Sequence, residues 1–78
     1  MATLMERDVL LEFTAEAIAI VSMRIPVKNA LENKDYKFLV GLHAQLSITK
    51  HDDLEFEKTI GEIKPIVEKY ENKPLYKD

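Results

Sequence analysis

The chain of 78 residues contains no cysteine and no tryptophan, and only two glycines and three prolines. Without cysteine there is no disulfide framework and no thiolate metal site. The same lack fits a reducing compartment, and the cytoplasm is the expected location. Scarce turn-formers disfavour all-β folds, which reverse direction often. Two isolated glycines, Gly41 and Gly61, cannot build a phosphate-cradling loop. No run approaches the roughly 20 apolar residues that cross a bilayer. Glu6 and Asp8 stand where a signal peptide would carry basic residues, so the chain reads as a complete small protein with no membrane role.

What remains is 46% hydrophobic and 32% charged, the balance of a folded domain rather than a disordered one. A core of this size is marginally stable by itself. With disulfides excluded, self-association is the expected support, and a homodimer its simplest form.

Thr3 and Glu6 have the spacing of a capping box. Asp8, Glu12 and Glu16 then recur every four residues and form one narrow stripe on a helix. The apolar residues from Val9 to Ile25 cover roughly 200° of the remaining circumference, against the ~100° of a one-sided surface helix. Such a helix needs neighbours on two sides. Strand propensity competes over residues 17–27, but the acidic recurrence runs into that stretch and the alanines favour helix. Pro26 ends or bends the helix and can open a short one over residues 27–33. A middle helix is expected from Tyr36 to about Thr49, capped by Asp35, although one continuous helix over 27–49 is also open. Phe38, Leu39, Leu42 and Leu46 share one of its faces, and Val40, Ala44 and Ile48 another, so it too looks packed from two sides. Gly41 suggests either close approach of a neighbouring helix or a weak point.

Asp52 or Asp53 is the expected cap of the last helix. Phe56, Ile60, Ile63, Val67 and Tyr70 follow heptad spacing along it. Pro65 predicts a kink, because its ring meets the carbonyl four residues back, at Gly61. The expected architecture is an all-α bundle of three to four helices, the first central and the last kinked near Pro65. It forms one domain over residues 1–71, followed by an extended or disordered tail, 72–78.

No residue pattern points to catalysis, a cofactor or a metal. His51, Asp52, Asp53 and Glu57 gather acids at a helix start, which capping and the helix dipole already explain. His43 reads as a boundary residue, and neither Ser22 nor Ser47 sits in a nucleophile elbow.

Charge is uneven: residues 1–23 balance to −3, residues 24–50 to +3 and residues 51–78 to −3. A basic patch of Arg24, Lys28, Lys34 and Lys37 is the alternative reading, a nucleic-acid-associated regulator, opposed by the acidic flanks. The favoured reading is a protein–protein interaction module, a regulator, inhibitor or adaptor. Small acidic helical proteins of phage and mobile elements that block host machinery offer an analogy of class. Candidate contact residues are Met5, Met23, Tyr70, Leu75 and Tyr76, with the acidic stripe Asp8, Glu12 and Glu16.

Overall fold

Thr3 opens the first helix as the sequence predicts. Its hydroxyl accepts from the Glu6 amide at 3.1 Å, and Glu6 Oε1 accepts from the Thr3 amide at 3.0 Å. In the computed structural model, which describes residues 3–76, three α-helices follow: α1 (Leu4–Ser22), α2 (Lys34–Ile48) and α3 (Phe56–Glu71). Two 3-10 turns, Val27–Glu32 and His51–Asp53, join them, and no strand occurs among the described residues. The end of the expected tail, Lys77 and Asp78, lies outside the described residues.

The helix α1 is the central element. It packs against both α2 and α3, which have little backbone contact with each other. Four of its residues are buried, Leu10, Thr14, Ala17 and Val21, against two in each outer helix. This is what its wide apolar arc requires. Leu11, Phe13, Ile18 and Ile20 flank the buried row and pack against the core from either side.

The core has two centres. Leu10, Leu46 and Leu54 form one, braced by Phe56 and Ile60; Ala17, Val21, Leu39, Ile63 and Tyr70 form the other. Leu42 packs against both. Thr14 is wholly buried, and its hydroxyl is satisfied by donating 2.6 Å to the Leu10 carbonyl one turn back. The molecule measures 42 × 21 × 16 Å, about two helix layers across its short axes. No core position therefore lies far from the surface.

Several local expectations are corrected. The helix α1 stops at Ser22, three residues before the residue that Pro26 constrains, and Met23 caps it through the Ala19 and Val21 carbonyls. Residues 27–49 are not one helix: the 3-10 turn and α2 are separated at Asn33, whose backbone is extended. Asn33, not Asp35, caps α2, its Oδ1 accepting from the Tyr36 amide at 2.8 Å. Asp52 and Asp53 sit in their own 3-10 turn, and α3 begins after Glu55 with no side-chain cap. The α3 helix runs uninterrupted through Pro65, and the expected kink is not shown.

The second apolar face of α2 is not packed. Val40, Ala44 and Ile48 point outward, Ile48 being 86% exposed. Nor does any helix approach Gly41, since a Cβ built there meets nothing within 4 Å. The described part of the tail turns at Asn72, has no regular structure over residues 74–76, and is docked: the Tyr76 amide donates 2.9 Å to the Met23 carbonyl, and Arg24 Nε donates to the Lys73 carbonyl.

Candidate functional site

The acidic stripe of α1 lies where its spacing places it, with Asp8, Glu12 and Glu16 all exposed. Beside it runs a shallow groove between α1 and α3. Val9, Phe13 and Ile60 form its apolar surface, and Glu12 and Glu16 line it from α1. One turn toward the helix starts lies a second hollow, lined by Glu6, Glu55, Phe56 and Glu57. The sequence exposed half of this arrangement, the acids of α1. It gave no sign of which α3 residues would sit opposite, although the acidic start of α3 was visible.

The apolar candidates do not form one surface. Met5 lies at the start of α1, whereas Met23, Leu75 and Tyr76 meet at its far end through the tail. Eighteen helical residues separate the two methionines by ~27 Å. All four are exposed.

Tyr70 is corrected outright, because it is 4% exposed and belongs to the core. Its hydroxyl donates to Asp35 Oδ2 at 3.0 Å and accepts from Asn33 Nδ2 at 3.2 Å. Lys69 Nζ reaches the same Oδ2 at 3.1 Å. The ammoniums of Lys69 and Lys73 sit 5.3 and 4.7 Å from the Tyr70 ring centre, where the negative face of the ring attracts them. Burial acts to raise the Asp35 carboxyl. Hydrogen bonds from Lys69 and Tyr70, with the pull of the Lys69 and Lys73 charges, outweigh it and hold the group below its ordinary 3.8. Lys69 is raised above its ordinary 10.5, first by its hydrogen bond to Asp35. This cluster fastens the end of α3 to the start of α2.

The alternative basic patch loses its guanidinium to structure. Arg24 Nη1 donates 3.0 Å to the Ile20 carbonyl and Nε donates 3.1 Å to the Lys73 carbonyl. That closes α1 at its negative end and holds the tail. Lys28, Lys34 and Lys37 are exposed. Arg7 works in the same way at the other end of the bundle, donating to the Leu46 and Ser47 carbonyls that end α2.

At the His51 turn, Nδ1 pairs with Asp52 Oδ1 at 3.0 Å. Among the described residues, no group of three or more His, Asp or Glu side chains is placed to hold a metal ion. The cleft between α2 and α3 is open, about 270 Å³, with Leu42, Leu46 and Leu54 beneath polar walls. No described helix is long and apolar enough to cross a membrane.

Compared with known proteins, the chain matches no family model, no curated protein and no solved structure.

Proposed function

We propose that the chain is a non-enzymatic protein–protein interaction module, a cytoplasmic regulator, inhibitor or adaptor, and that it self-associates. One observation carries the reading: the outward stripe of Val40, Ala44 and Ile48 on α2. These residues recur every four positions on the side opposite buried Leu39 and Leu46. Isolated exposed apolar residues are ordinary, but an aligned row on a helix that already buries its other face resembles an unfilled seam.

The small residues at its middle, Gly41 and Ala44, suit close approach of a second helix. In an antiparallel two-fold pair, Ala44 faces its own copy and Val40 meets Ile48 of the partner subunit. The lysines at the start of α2, Lys34 and Lys37, then lie at opposite ends and do not confront each other. A two-helix contact of this length belongs to the transient class, below ~1,200 Å² of buried area.

Sedimentation equilibrium tests the reading. Wild-type mass is expected to rise reversibly with concentration from 9.0 kDa toward twice that value. Val40→Ser with Ile48→Ser is expected to hold it at 9.0 kDa. A wild-type mass that never rises, or a double variant that associates as well as wild type, contradicts the proposal.

A further inference from the structure

From the two hollows along the α1–α3 seam we infer a second docking surface, whose occupant is a basic amphipathic helix of another protein. The inference deepens the interaction-module reading and rests on it. It concerns a different face from the α2 stripe.

The hollows adjoin, since Glu6 and Val9 are one turn apart on α1, and Phe56 and Ile60 one turn apart on α3. Together they present four apolar side chains, Val9, Phe13, Phe56 and Ile60. From Glu6 to Glu16 the seam runs ~15 Å, the length of about three helical turns. An amphipathic helix lays its apolar face into a groove of this kind through anchors at i, i+3 or i+4, and i+7.

Charge selects among such helices. Glu12 and Glu16 border the groove on α1, and Glu55 and Glu57 border it at the start of α3, where Glu6 joins them. Among the described residues, no basic side chain lines either hollow. Of these carboxylates, Glu55 makes an exposed contact with Lys58, at 3.7 Å. Carboxylates on both borders call for cations on both flanks of the occupant's apolar face.

A second copy of this chain answers that demand poorly. The α2 stripe carries Lys34 and Lys37 at one end, while its other flank holds Tyr36, His43 and Ser47. A Lys- or Arg-rich amphipathic helix from a different protein meets the pattern in full.

The test uses a fluorescent peptide of roughly 18 residues, built of leucine, alanine and lysine with lysines on both flanks. Binding to the full chain is followed by anisotropy at about physiological salt, where exposed long-range attraction is screened. Saturable binding to wild type is expected. Glu12→Lys with Glu16→Lys, both exposed positions, is expected to weaken it by at least about tenfold. The half-exposed Val9→Ser probes the apolar floor without adding charge, and weaker binding is expected there too. Glu32→Lys with Glu62→Lys makes the same change in net charge away from the groove and is expected to leave affinity within about twofold.

Absence of binding to wild type overturns the inference, as does equal loss in both charge-reversed pairs, which would mark bulk attraction only. A fall in sedimenting mass caused by Glu12→Lys with Glu16→Lys also overturns it, because the groove would then seat a second copy. The two readings fail separately: peptide binding without self-association leaves the groove standing, and self-association without peptide binding removes it alone.

Discussion

Tyr70 donates a 3.0 Å hydrogen bond to Asp35, which ties the last turn of α3 to the first turn of α2. These helices have little backbone contact, and the turn that joins them lies at the opposite end of the bundle. The contact therefore closes the end that chain connectivity leaves open. Asn33 does two jobs there, capping α2 through Oδ1 and donating to the Tyr70 hydroxyl through Nδ2. Tyr70→Phe keeps the buried ring and removes only the hydroxyl. It is expected to cost about 1 kcal/mol in urea unfolding. Tyr70→Ala, which empties the ring's place in the core, is expected to cost about 3–5 kcal/mol. A Tyr70→Phe variant as stable as wild type would mean that the hydroxyl contributes nothing, and equal losses in the two variants that the ring does not.

The same contact predicts how stability depends on pH. The folded-state pKa of Asp35 is depressed, so its contribution is present above the ordinary 3.8 and disappears as pH falls through the folded value. Lys69 is raised, so its contribution is present below 10.5 and disappears as pH rises through the folded value. The stability gap between wild type and Asp35→Asn is thus expected to be constant across the neutral range. It should narrow below pH 3.8 and above pH 10.5. A gap unchanged at acid pH would show that the charge of Asp35 is irrelevant.

Gly41 sits in a helix with open space around it. Gly41→Ala meets no neighbour within the chain and removes backbone freedom from the unfolded state, so at concentrations where the chain is monomeric it is expected to stabilise by about 0.5–1 kcal/mol. Chemical denaturation of the variant reads the change directly, and destabilisation would place an unseen neighbour against this position.

Pro65 interrupts the hydrogen bonding of α3 where an amide would reach the Gly61 carbonyl. The position is exposed, so packing does not require the ring. Pro65→Ala is expected to gain about 1–3 kcal/mol, less than the full helix-propensity difference because proline also restricts the unfolded chain. A higher Tm by circular dichroism checks this.

Periodicity and capping carried much of the fold. Thr3 and Glu6 act locally, within three residues, so the start of α1 was legible. The seam of α3 was legible too, because Ile63 and Tyr70 recur on the face that α1 covers. That Asn33 and not the expected Asp35 caps α2 was not legible, since both residue types cap well and Tyr70, distant in sequence, engages both side chains. Tyr70 fitted both the core seam and the contact surface, and only tertiary packing separates those roles. Periodicity also identified Val40, Ala44 and Ile48 as one apolar face, but not whether anything covers it. The α1–α3 groove joins residues from two helices, and no spacing within either one encodes that meeting.

Isotope-filtered nuclear Overhauser spectroscopy on an equimolar mixture of labelled and unlabelled chains tests the central claim, self-pairing through the outer face of α2, most directly. Contacts between the Val40 methyls and Ile48 of the partner subunit, together with an Ala44–Ala44 contact, are expected at submillimolar concentration. Intermolecular contacts confined to other residues, or none at a concentration where the mass has risen, would contradict it.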